Sequence, residues 1–251
     1  MAKQNNILLS QLDTRAPKGL DKEKTKQKMH AMLGEINGLQ NLLFAENKHS
    51  LLVIIQGMDA SGKDGVIRDI FSYMNPMGIQ VKSWKAPTDE EKSHDFLWRI
   101  HQHCPAKGMI QIHNRSHYED VLITRVYEWI DDRTAMARMK AINQFESLLQ
   151  EHNQTTILKF YLHISHDEQQ ERLKERMQIP EKMWKYNAND LKESEKWDIY
   201  MKYYEDIFNQ CNQYPWQIIP ADQNWYKNYL IAEKLLATLK SFKMKFPGLK
   251  K

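Results

Sequence analysis

Residues 51–63 read LLVIIQGMDASGK, and this stretch decides the fold. Five apolar residues, Leu51 to Ile55, lead through Gln56 into Gly57, and Lys63 stands six positions after Gly57. The spacing is G-x-x-x-x-G-K directly after a buried strand, and Asp64 to Phe71 predicts an amphipathic helix beyond it. Strand, glycine-rich turn and helix start in this order make a phosphate cradle. Backbone N–H groups and the positive helix end face the anion, and Lys63 adds a full charge. Gly57, Ala60, Ser61, Gly62, Lys63, Asp64 and Gly65 are the candidate phosphate-binding residues.

Two residues depart from the usual loop. Asp64 stands where most such loops carry Ser or Thr to hold Mg²⁺, and Asp59 places a carboxylate inside the loop. A bare carboxylate there repels phosphate by about 4 kcal/mol per charge pair at close range and moderate dielectric. Asp59 is therefore expected to face Mg²⁺, directly or through water, or to orient an attacking phosphate. The plain alternative is a turn aspartate.

Working outward, residues 1–20 are polar and turn-rich and predict an arm on the surface or on a neighbouring subunit. Residues 21–48 carry Met29, Met32, Leu33, Ile36, Leu39 and Leu43 at helical spacing. Residues 78–85 (GIQVKSWK) predict a second strand. Thr88 and Glu91 form a capping box opening a helix to about His103, ahead of Pro105. A third strand, 108–113, leads into NRSHYED, and a helix with Met136, Met139, Ile142, Phe145 and Leu149 on one face follows. The fourth strand is 155–164, followed by a charged helix, a loop over 184–190 and a long aromatic helix from about Lys192 to Asn212. A short fifth strand, 216–219, and a final helix with Tyr229, Ala232, Leu236 and Leu239 complete the chain.

Strands alternating with helices predict an α/β fold: a parallel five-stranded sheet, helices on both faces and a helical lid over about 166–190. Right-handed crossovers bring the segments after the strands to one edge, where ligands bind. No linker divides residues 21–251, which read as one domain.

Composition sets the class. Hydrophobic content of 41% and charged content of 27% fit a globular protein, and a net charge of +4 demands no nucleic-acid partner. Two distant cysteines, Cys104 and Cys211, argue against a disulfide framework. With no membrane-length apolar run and no signal-peptide h-region, the expectation is a cytoplasmic enzyme with no membrane partner. His113 and His117 are four apart but lack the companions of a transition-metal site.

Further cations gather at the predicted ligand edge. Arg115 can fork across phosphate oxygens in the ground and transition states, with a surface salt bridge as the alternative. Asn114 and Glu119 are candidate nucleotide contacts, although Glu119 and Asp120 suit a first helical turn equally well. Lys82 and Lys85 flank Trp84 at the end of the second strand. Arg172, Arg176, Lys182 and Lys185 make a basic flap that would close over phosphates and exclude water.

These motifs resemble the polyphosphate kinase 2 family. The likeness is carried by GMDASGKDG, NPMGIQVKSWKAPTDEEKSHDFLWRIH, NRSHYEDVLITRV, the flap and the WDIY segment at Trp197, and it covers the chain from about Asp21 onward. NRSHYED, in place of an aspartate-led segment, is similar to the branch that phosphorylates AMP as well as ADP. The resemblance implies a P-loop kinase-like fold and reversible Mg²⁺-dependent phosphoryl transfer from inorganic polyphosphate to adenine nucleotides, with guanine nucleotides as further candidates. It also implies a homo-oligomer. By position, Gly57, Asp59, Gly62 and Lys63 match the family's phosphate loop, and Arg115 matches its second-motif arginine. Asp59, Lys63 and Arg115 are thus the candidate catalytic residues, with Asp59 the candidate metal ligand. Asn114 stands where other branches have aspartate, which removes one candidate Mg²⁺ ligand. Polyphosphate needs a track of cations, and Lys63, Lys82, Lys85 and Arg115 would supply it. Two rivals stand beside this reading: an ATP-dependent nucleoside monophosphate kinase, and a nucleic-acid-binding protein on a phosphate-binding fold.

Overall fold

The computed structural model describes residues 6–249. Five strands form one parallel sheet in the order β2-β3-β1-β4-β5. They are β1 (Ser50–Gln56), β2 (Ile79–Ser83), β3 (Ile110–Asn114), β4 (Thr155–His163) and β5 (Trp216–Pro220). β1 lies at the centre because its run of apolar residues is buried on both faces, whereas the edge strand β2 keeps Val81 exposed. The phosphate loop therefore leaves the middle of the sheet. β3, whose end carries the Asn114–Arg115 pair, is its immediate neighbour.

The helices are α1 (Lys22–Glu46), α2 (Lys63–Val66), α3 (Asp89–Ser93), α4 (Trp98–His101), α5 (Glu119–Val126), α6 (Asp132–Asn153), α7 (His166–Gln178), α8 (Pro180–Met183), α9 (Ala188–Ser194), α10 (Trp197–Gln210) and α11 (Asn224–Ser241). α1 packs on α11, while α5, α6 and α10 pack on one another, making the two helical layers expected from the sequence. α1 is capped by the Asp21 side chain and ends at Asn47 in the left-handed region.

Several local expectations are corrected. The Thr88–Glu91 capping box is present, but the helix it opens stops at Ser93. The Asp95 side chain accepts from the Leu97 N–H (2.9 Å), an Asx turn that breaks the run before α4. α2 continues as a π-helical turn, Ile67–Phe71. The predicted loop at 184–190 contains the start of α9, capped by Asn187, and the aromatic helix begins at Trp197 rather than Lys192. Met136 is exposed, and Tyr229 only half-buried.

Of the N-terminal arm, residues 1–5 lie outside the described residues. The rest docks on its own chain. Leu9 enters the core, its N–H bonds Glu205 (2.7 Å), Thr14 bonds Asp222 (2.8 Å) and the Ala16 N–H bonds Gln223 (2.9 Å).

A fully buried ion pair ties the core together. Lys159, in the middle of β4, donates to Glu146 of α6 (2.7 Å), to the Tyr118 hydroxyl (2.9 Å) and to the Cys211 carbonyl (2.9 Å). Tyr118 also donates to Glu146 (2.7 Å), so within NRSHYED this tyrosine is an anchor rather than a ligand contact. Burial alone would raise the Glu146 carboxyl, but Lys159 and His117 outweigh it and hold the group below its ordinary value. Removing one partner strands the other's charge. Lys159→Met is expected to lower unfolding free energy by about 3–5 kcal/mol in urea titrations, with much of the loss recovered when Glu146→Gln is added.

Candidate active site

The phosphate loop is organised by its carbonyls. Lys63 donates to the oxygens of Gly57 (2.7 Å) and Met58 (3.0 Å). Gln169 of α7 donates to that of Asp59 (3.1 Å). Arg172 of α7 donates to those of Ala60 (3.1 Å) and Ser61 (3.3 Å), and Lys227 of α11 adds a second bond to Ser61 (3.2 Å). Each carbonyl from Gly57 to Ser61 is thus held by a side chain; the Ser61 N–H turns back to the Met58 carbonyl (3.2 Å), and N–H groups of the loop other than this one are the candidates to face an anion. The turn also needs special backbone: Ala60 (φ 63°) and Gly62 (φ 95°) are left-handed. At Gly62 a Cβ would collide with the Lys227 ammonium.

The loop opens into a cavity of about 930 Å³. Asp59, Lys63, Asp64 and Arg115 line one side, and Arg176, Lys182, Trp184 and Lys185 the other. The lining carries as many carboxylates as cations, so local pairing decides which charges are available. Arg115 is placed by a left-handed backbone (φ 63°) directly after β3. It bonds Asp59 (2.7 Å) and lies 3.8 Å from Glu119. Asp59 and Arg115 also border a smaller hollow of about 20 Å³ walled by Glu119, Leu122, Tyr200 and Tyr204. The ion pair stands where the two spaces meet.

Not every expected residue has its expected place. Arg172 lines the cavity but is no free flap cation. All five of its donors are engaged, by the loop carbonyls, by the Ala221 and Asp222 carbonyls (2.9 and 2.8 Å) and by Glu168 (2.9 Å). Lys82 and Lys85 lie off the cavity. Ser83 and Trp84 take the inward places at that strand end, and Lys82 rests over the Trp84 ring (5.2 Å). Asp64 accepts from Asn114 (2.8 Å) and from Lys185 (3.2 Å), tying the flap to the loop. Arg176 pairs with Asp190 (2.6 Å), and Lys182 with Glu175. Asn114 lines the cavity, whereas Glu119 faces the small hollow, where burial raises its carboxyl against the pull of Arg115 and Lys63.

The sequence reading missed Gln169, Asp222 and Lys227. One signal existed for Lys227: it shares a face with Ile231 and Leu235 at i+4 and i+8, a lysine on a buried stripe.

Burial, with Arg115 adding to it, pushes the Lys63 ammonium down to about 8. The unfolded chain keeps that proton up to its ordinary value. Between pH 8 and that value the unfolded state binds more protons, so this group makes stability rise with pH. Anion binding runs the other way. Affinity for an inorganic phosphate anion seated on the loop is expected to fall as pH rises through 8, with proton uptake on binding. Calorimetry at pH 8 in buffers of different ionisation heats checks it, and a buffer-independent heat is the contrary result.

Comparison with known proteins gives the family. The model of the family described as Polyphosphate kinase 2 (PPK2) matches residues 19–247. The AMP/ADP-polyphosphate phosphotransferase of Meiothermus ruber is 44% identical over 237 residues, covering 94% of this chain and 88% of that protein. The ADP-polyphosphate phosphotransferase of Rhodopseudomonas palustris is 40% identical over 240 residues, covering 90% and 83%. The crystal structure of polyphosphate kinase 2 from Arthrobacter aurescens TC1 superposes with a TM-score of 0.95 at 40% identity, covering 98% of this chain and 90% of that one. On the strength of its sequence and its fold, the chain belongs to the polyphosphate kinase 2 family.

Proposed function

We propose that this protein transfers the terminal phosphoryl group of inorganic polyphosphate to AMP and ADP, forming ADP and ATP with Mg²⁺. One observation carries the reading: the Asp59–Arg115 pair stands between the clamped phosphate loop and a second, partly apolar hollow. Donor and acceptor phosphates brought together there would meet Lys63 and Arg115, as in-line transfer requires charge stabilisation rather than a protein nucleophile. The names of the Meiothermus ruber and Rhodopseudomonas palustris relatives support the substrate pair. In this reading residues 21–251 act as one kinase domain, and the segment over about 166–190 is its lid.

The residues suit Mg²⁺. Among the described residues no cluster of three or more acidic, His or Cys side chains could cage a metal, and Mg²⁺ favours one or two carboxylates completed by substrate phosphates and water. Asp59, with one oxygen on Arg115 and its place on the cavity wall, is the carboxylate that would hold it. When bound, the ion would neutralise charge on the transferring phosphoryl group. Asp64 is occupied by Asn114 and Lys185, which leaves it the lesser candidate.

The direct test supplies polyphosphate and Mg²⁺ without ATP to AMP, ADP and their guanine counterparts, and identifies the products. ADP and ATP are expected. No product above a no-enzyme control overturns the reading, and turnover that needs ATP as donor favours a nucleoside monophosphate kinase. Size-exclusion with light scattering on the same sample tests the homo-oligomer.

Asp59→Asn keeps the size and hydrogen-bonding capacity of the side chain and removes its charge. Turnover is expected to fall about 10²–10³-fold while the melting temperature stays within a few degrees. Near-normal turnover would reduce Asp59 to a turn residue.

A further inference from the structure

Among the described residues, five lysine and arginine side chains are buried: Lys63, Arg99, Arg125, Lys159 and Lys227. A buried charge is stable when it is paired. Arg99 pairs with Glu91 and Asp120, Arg125 with Asp132 and Asp206, and Lys159 with Glu146. Among the described residues, Lys63 and Lys227 have no carboxylate within salt-bridge distance. Both line the same cavity. They grip the phosphate loop from opposite ends, Lys63 at Gly57 and Met58 and Lys227 at Ser61.

Lys227 is 1% exposed. Its ammonium donates to Ser61 O (3.2 Å) and Asn224 Oδ1 (2.8 Å), and among the described residues its third N–H has no partner. It lies against Gly62, where the loop passes into α2. Arg172 and Lys63 repel it, and Asp69 and Glu168 attract it without forming a salt bridge with it. Burial first, then the like charges of Arg172 and Lys63, push this ammonium down to about 7, and a phosphate oxygen beside it would be the counter-ion that holds it protonated.

We propose that Lys227 is a second ammonium of the phosphate cradle, contacting an oxygen of the inorganic polyphosphate chain at the Ser61–Gly62 end of the loop. The proposal rests on the function given above. An anion seated on the loop would lie between two ammonium groups, and the one on α11 would select for the inorganic chain over the nucleotide. Arg172 cannot serve in its place, because its donors are spent on carbonyls.

The test compares wild type with Lys227→Gln, which can still donate within this site, and with Lys227→Met, which keeps the stem alone. Initial rates are measured over a range of NaCl with long-chain polyphosphate and ADP varied in turn. Loss of a phosphate contact is expected to raise KM for polyphosphate at least tenfold in both variants and to leave KM for ADP within twofold. It also reduces the slope of log KM for polyphosphate against log salt by about one. An unchanged polyphosphate KM, or a raised one with the wild-type salt slope, overturns the proposal. If Lys227→Met does not fold, Lys227→Gln decides alone by the same criteria. Absence of polyphosphate turnover in the wild type would instead reject the proposed function.

Discussion

The structure depends on turning a short run of peptide carbonyls inward. A loop that binds phosphate must present N–H groups, and the opposite ends of those peptides need partners of their own. Here the partners are side chains from distant places: Lys63 from the loop's own helix, Gln169 and Arg172 from α7, and Lys227 from α11. The cradle is therefore set by tertiary contacts as much as by its glycines. Arg172 illustrates this, since its planar fork spans the loop and the end of β5 together, a geometry that a lysine could not reproduce.

Pairing separates structural charge from functional charge. Lys159 is more completely surrounded than Arg115, yet its partners are internal, and with Tyr118 it anchors the segment that carries Arg115. Lys185 holds Asp64 of the phosphate loop and Arg176 holds Asp190 within the flap, so one ion pair joins flap to loop and the other braces the flap itself.

The order of elements was legible because it rests on short-range pattern. LLVII announced the central strand, and the G-x-x-x-x-G-K spacing announced the turn behind it. Asp59, Lys63 and Arg115, singled out by residue type and spacing, come together on one cavity wall. Arg172 was seen as a cation but not as a clamp, since its partners are backbone oxygens that no sequence displays. Lys82 and Lys85 misled because counting along a strand does not say which neighbour, here Trp84, fills the inward place. The helix after Thr88 was lost to a single side chain, Asp95, which competes with the backbone by hydrogen bonding two residues ahead.

The docking of the N-terminal arm bears on how the protein is made. Leu9, Thr14 and Ala16 find their partners at Glu205, Asp222 and Gln223, and α1 rests on α11, so elements made early are completed by elements made about two hundred residues later. Asp222 also caps Ser165 at the start of α7, and its carbonyl receives Arg172, which holds the phosphate loop. On the ribosome the central strand and its loop emerge long before the residues that fix them. Contacts of such long sequence separation are slow to close, and the nascent chain keeps apolar surface open until α11 is released. A chain cut short before α11 would lack the closing helix of its fold and Lys227 of its phosphate loop together.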